Sequence, residues 1–217
     1  SELFSVDPEP PYGVTSVATF FQASGDPTPN ITDLAVNLQG AMYGVSTNGV
    51  WHIAPQTGEI EQVLDTTGEF FVALTFLANG SLLAGSDGNL IQITLQPPAM
   101  EVISAFPEGW EWDGDMVGLP DGLLYCAVKG VDDDEASLMI YDADNDTVVS
   151  TAPTGSTRLF GVGFGSGTLF GFTDGGDILS IDDITGTATV VASPGHTFWG
   201  AATNPVRWGP IDPIPPE

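Results

Sequence analysis

Leu34-Ala-Val-Asn-Leu-Gln-Gly40-Ala-Met-Tyr-Gly44 and Leu74-Thr-Phe-Leu-Ala-Asn-Gly80-Ser-Leu-Leu-Ala-Gly85 share one pattern: a short apolar run, a turn ending on glycine, and a second apolar run. The pattern returns as Gly118-Leu-Pro-Asp-Gly122-Leu-Leu-Tyr and as Gly163-Phe-Gly-Ser-Gly167-Thr-Leu-Phe-Gly171. Three of the four turns carry Asn-Gly, Asp-Gly or Ser-Gly, the residue pairs that close a β-hairpin. The turn glycines Gly40, Gly80, Gly122 and Gly167 are spaced by 40, 42 and 45 residues. A repeat of that length is a supersecondary unit that must stack on its neighbours to bury its faces.

Working outward, each hairpin is followed by an alternating strand: Val50–Ile53, Leu90–Ile93, Leu138–Tyr141 and Ile178–Ile181. A turn and a β-branched strand then complete the unit, at Glu59–Leu64, Met100–Ile103, Thr147–Ser150 and Thr187–Val191. Four strands every 40 to 45 residues, with no helical periodicity, predict an all-β chain folded as a β-propeller of four-stranded blades. The two ends complement one another. Leu3–Asp7 and Val14–Phe20 read as a third and a fourth strand, while Thr197–Ala202 and Val206–Trp208 read as a first and a second. Pairing them gives a fifth blade that closes the ring and hides its edges. The expected blades span about 32–64, 71–104, 113–151, 159–192, and 197–209 with 3–20. All lie in one domain, 1–209, followed by a Pro-rich extended tail at 210–217.

The charge is lopsided: 29 acidic against 3 basic residues in 217, a net −26, with 42% apolar residues. That apolar content supports a core and sets the chain apart from acidic disordered sequences. Lys129, Arg158 and Arg207 cannot build a phosphate-neutralising surface, which excludes nucleic acid and anionic membrane surfaces as partners and leaves counter-cations. A folded surface of about 9,500 Å² places one net charge every roughly 365 Å², about 19 Å from the next. The Debye length is about 8 Å at 0.15 M salt and about 30 Å near 0.01 M, so salt relieves this repulsion. The acidity therefore predicts salt adaptation. The chain opens at Ser1 without a Met or an apolar leader, as a processed mature protein or a trimmed chain does. A secreted, periplasmic or cell-surface protein of a marine or saline organism is expected.

The unit of apolar strand, turn glycine, Leu-Tyr/Phe-Gly, strand, Asp-x-x-Thr-Gly and strand resembles the loose repeat of bacterial propellers outside the WD40 and kelch groups. With its acidity and five-unit count, the chain resembles the uncharacterised acidic five-bladed β-propeller proteins of marine bacteria, from about Leu3 to Trp208. The resemblance implies architecture and carries over no catalytic residues.

The loops that enter the innermost strands form one face, and they carry aromatics: Phe70-Phe71, Trp110 and Trp112, Phe160, and Phe198-Trp199. Phe71, Phe160 and Phe198 read as wedges between blades. Trp110 and Trp112 lie in Pro107–Asp115, a turn-rich acidic loop that would hold two indoles as an exposed platform. Arg158, among the few cations, and His196 fall on the same face. The candidate ligand face is thus Phe70, Trp110, Trp112, Arg158, His196 and Trp199, for a carbohydrate or protein ligand, with no catalytic residue assigned. The alternative is a small glycan-acting hydrolase with paired carboxylates at the channel mouth, for which Asp33 and Asp115 are best placed. A third reading is a structural repeat that assembles through divalent cations on its acidic surface. No cofactor is expected apart from calcium: Asp142, Asp144 and Asp146 alternate as at the start of a calcium loop, yet Thr147 and Ala152 stand where that loop needs Gly and Glu. Cys126 lies in an apolar run and reads as a core thiol, and His52 as a packed or edge residue.

Overall fold

The structure, a computed structural model, describes residues 1–205. Val206–Trp208 and the tail at 210–217 lie outside the described residues. Among the described residues there are eighteen strands. The first two, β1 (Glu2–Val6) and β2 (Val14–Thr19), pair antiparallel as a two-stranded sheet. Blade 1 follows as β3 (Asp33–Val36), β4 (Met42–Ser46), β5 (Gly49–Ala54) and β6 (Glu59–Asp65). Blade 2 comprises β7 (Phe71–Phe76), β8 (Leu82–Ser86), β9 (Asn89–Leu95) and β10 (Pro98–Ala105). Blade 3 holds β11 (Trp110–Gly118), β12 (Leu124–Gly130), β13 (Ser137–Asp142) and β14 (Thr147–Pro153). Blade 4 holds β15 (Leu159–Gly165), β16 (Thr168–Thr173), β17 (Ile178–Ile181) and β18 (Ala188–Ala192). Every sheet is an antiparallel meander in chain order, the propeller arrangement that the repeat predicts.

The turns explain the repeat. Gly40, Gly80, Gly122 and Gly167 sit at φ between +75° and +89°, a conformation that glycine adopts without steric penalty. In the first three turns the Asx side chain closes the loop as well: Asn37, Asn79 and Asp121 each accept the N–H two residues on, at 2.9–3.0 Å.

The core is divided among the sheet interfaces. Phe71, Leu74 and Leu82 pack with Val45 and Val50 between blades 1 and 2. Met116, Leu124 and Met139 pack with Leu83 and Leu90 between blades 2 and 3. Leu159, Val162 and Leu179 pack with Leu138 and Ala127 between blades 3 and 4. The β1–β2 sheet fills the remaining gap: Val6, Tyr12 and Val14 face Phe170, Phe172 and Phe198, and Leu3 lies with Trp51, Ile53 and Ile60 of blade 1. An isolated parallel bridge from Phe21 to Glu59 ties the end of this segment to β6.

Two strand assignments need correction. Thr197–Ala202, expected as the first strand of a fifth blade, forms no strand. It runs extended past the axis and is held by side chains instead, because Asp115 and Thr203 take over the bonds that a ladder would supply. Pro107–Asp115, expected as a loop, turns into strand at Trp110. Trp110 to Trp112 pair with Gly130 to Val128, and a bulge before Met116 absorbs Asp113 and Gly114.

Candidate functional site

At the axis the innermost strands are stitched by side chains to main chain. Thr32 Oγ1 donates to Phe71 O at 3.1 Å, and Asp33 Oδ2 accepts Leu74 N–H at 2.5 Å. Thr75 Oγ1 accepts Gly118 N–H at 2.9 Å, and Asp113 Oδ2 accepts Leu159 N–H at 2.9 Å. Asp115 Oδ2 takes Val162 N–H at 2.9 Å and Ala201 N–H at 3.2 Å. Thr203 Oγ1 accepts Phe164 N–H at 2.7 Å. Inner strands have no ladder partner on the channel side, and these bonds satisfy N–H groups that would otherwise be buried unpaired.

Asp33 and Asp115 meet there. Their relative exposures are 1% and 0%, and their carboxyls are hydrogen-bonded to one another. Burial raises both above the ordinary carboxylate range. Asp115 is pushed up to about 7, and Asp33, which also feels the Asp115 charge, is held well above its usual value. Below them the channel narrows to a void of about 10 Å³ lined by Leu34, Leu74, Met116, Val162 and Ala201, room for one water.

The predicted ligand-face residues separate into distinct spots. Trp199, 63% exposed, stacks on Phe160 with centroids 5.7 Å apart and planes at 14°. Two residues before Phe160, Arg158 is held at φ +58° and donates Nη1–H to Asp174 Oδ2 at 2.8 Å, while Leu159 N–H anchors the turn on Asp113. The Asp174 carboxylate raises the Arg158 guanidinium further, and burial raises the Asp113 carboxyl. His196 packs against Phe4 of β1, with centroids 4.5 Å apart and planes tilted by 38°. Phe70 stands half-exposed just before β7.

Trp110 and Trp112 form no exposed platform. Both are half-buried against the core between blades 2 and 3, and Trp112 lies on Phe106 with centroids 4.2 Å apart. Strand pairing of β11 with β12 draws them in, and the bare backbone of Gly85 receives the Trp112 ring, since a Cβ there would lie 2.6 Å from it.

The acidic triplet does not converge either. Asp142 Oδ1 accepts the N–H groups of Asp144 and Asn145, and Asp146 accepts from Ser104 and Tyr141. Asp182 closes the equivalent turn of blade 4 in the same way as Asp142, so the first acid of this segment serves turn formation. Among the described residues no three His, Cys, Asp or Glu side chains come together as a metal site. Cys126 is fully buried, and burial raises its thiol. His52 is half-buried, edge-on to Tyr43.

No protein-family model matches the chain, and no curated protein is significantly similar to it in sequence. Solved structures do match. Glutaminyl cyclase of Myxococcus xanthus superposes with a TM-score of 0.55 at 17% identity, over 81% of this chain and 73% of that one. A puromycin hydrolase gives 0.48 at 17% identity, over 85% of this chain and 31% of that one. A protein of unknown function from Bacteroides caccae gives 0.43 at 18%, over 72% and 57%. The likeness to the cyclase shows a β-propeller-like fold. At such identity it brings no reaction or substrate with it.

Sequence reasoning chose Asp33 and Asp115 as the best-placed carboxylates, and the structure brings them together. It missed Thr75, Asp113 and Thr203. Their signal is the appearance of a polar side chain in the innermost segments, where packing alone would select apolar residues.

Proposed function

We propose that the protein is a non-catalytic, carbohydrate-binding β-propeller whose ligand platform is the Trp199–Phe160 stack with Arg158 and Asp174 at its edge. The observation that carries this reading is the stack itself: two parallel rings, one of them 63% exposed, beside a charged pair. A sugar ring lays its C–H face on an indole and directs its hydroxyls to flanking carboxylate and guanidinium groups. A net charge of −26 favours neutral over anionic sugars.

The hydrolase alternative has less support. Paired carboxylates that cleave glycosides stand roughly 5 to 9.5 Å apart around an open cleft, whereas Asp33 and Asp115 touch and are buried. We count β1, β2 and the extended segment 197–205 as the fifth sector of a single-domain, five-bladed ring, because five apolar interfaces alternate with the sheets. The acidity supports a salt-adapted protein that works outside the cytoplasm.

The test is tryptophan fluorescence during titration with neutral oligosaccharides (cello-, xylo- and malto-series). Wild type is expected to give a saturable change that Trp199→Ala abolishes and Trp112→Phe retains. Absence of any response in wild type, or equal binding by Trp199→Ala, overturns the proposal.

A further inference from the structure

The carboxyl pair at the axis has no part in the platform, and its surroundings are unusual. Asp33 and Asp115 accept five main-chain N–H groups: Leu34 at 2.8 Å, Leu74 at 2.5 Å, Met116 at 2.6 Å, Val162 at 2.9 Å and Ala201 at 3.2 Å. One donor comes from β3, one from β7, one from β11, one from β15 and one from the closing segment. Every inner segment of the ring therefore contributes a single N–H to the same two side chains.

Five inward N–H dipoles favour one negative charge at this point. Two are another matter: carboxylates in contact in a buried site cannot both ionise, so a proton must lie between them. A cation is a poor substitute, because N–H hydrogens point at the pair from all five segments. Lys129 and Arg158 are engaged elsewhere, with Glu111 at 3.4 Å and Asp174 at 2.8 Å. Of the other titratable groups near the pair, the Cys126 thiol senses the Asp115 charge and stays protonated, and Asp113 gives its carboxylate to Leu159 N–H.

We propose that Asp33 and Asp115 form a proton-locked clasp at which all five inner segments converge, and that alkaline pH, by removing the shared proton, loosens the axis and frees the closing segment around Ala201. The clasp makes ring closure responsive to pH while the blades themselves stay intact.

Amide hydrogen exchange on the whole chain, followed by NMR between about pH 5.5 and 8 in about 1 M NaCl to screen the surface charge, tests this. After correction for intrinsic rates, protection at Leu74, Val162 and Ala201 should fall about tenfold per pH unit for each proton released on opening. Ala84 and Val128, inside their blades, should hold constant. A flat profile at the clasp amides overturns the proposal, and so does an equal fall at all five amides, which would report general charge repulsion. Infrared spectra supply a second readout. A protonated carboxyl band should persist at neutral pH and disappear in Asp115→Asn, and its absence from wild type overturns the clasp even if the variant fails to fold.

Discussion

At the point where each inner segment passes the axis the chain places Asp33, Ala73, Asp115, Gly161 and Gly200: two acids among three residues with little or no side chain. Gly200 makes room for Asp33, and Gly161 for the closing segment at Gly200 and Ala201. A Cβ on Gly200 would come 2.7 Å from Thr32 O and run into the Asp33 carboxyl, so Gly200→Ala should lose about 1 to 3 kcal/mol in urea unfolding. Asp115→Ala should do worse, because it strands the N–H groups of Met116, Val162 and Ala201. A loss of about 3 kcal/mol or more is expected. Trp199→Ala, on the exposed rim, should stay within about 0.5 kcal/mol of wild type. This axial arrangement was half legible in the sequence. Both acids lie near first-strand entries, which is why they were the best-placed carboxylates for the hydrolase alternative. Nothing in a linear reading showed that the five segments approach closely enough for their N–H groups to saturate those carboxyls, and that closeness makes the pair structural.

At the scale of the element, β11 shows where local signals mislead. Pro107, Gly109 and Gly114, interspersed with acids, read as a loop, yet the segment from Trp110 forms the longest strand among the described residues. Gly114 has its own reason to be there: a Cβ would clash with the main chain of Leu159 and Phe160 on the next blade. Asp113 and Asp115, which resemble turn residues, serve that blade's N–H groups. Polar and glycine content thus marks contact with a neighbouring blade here. The hairpin turns, by contrast, were fully legible, because their chemistry is contained within four or five residues. Trp112 gives the prediction for this element. Its Nε1 is buried without an acceptor among the described residues, so Trp112→Phe keeps the packing, drops an unpaired donor, and should leave the thermal midpoint equal or higher. Gly85→Ala, which pushes a methyl into the same ring, should lower it by several degrees.

For the whole molecule, charge and proton binding set the response to solvent. The thermal midpoint should climb as NaCl is raised from about 0.01 to 1 M, and calcium at fixed ionic strength should add nothing, since the Asp142 carboxylate is occupied by its own turn and that of Asp146 by Ser104 and Tyr141. A sharp gain with calcium would contradict that assignment. The axial acids hold protons that the unfolded chain releases from about pH 4 upward, so stability should fall as pH rises through about 7, where Asp115 ionises in place. Urea midpoints at high salt measure this, and a midpoint that rose over that range would have the wrong sign. The position of β1 and β2 also bears on biosynthesis. A ribosome makes them before the blades, yet Val14 and Tyr12 find their cover only when Phe170, Phe172 and Phe198 have emerged. Throughout translation this sheet is a half-dressed apolar surface held at one edge by blade 1, which makes the nascent chain a natural client for chaperones and leaves the acidic exterior to keep neighbouring nascent chains apart.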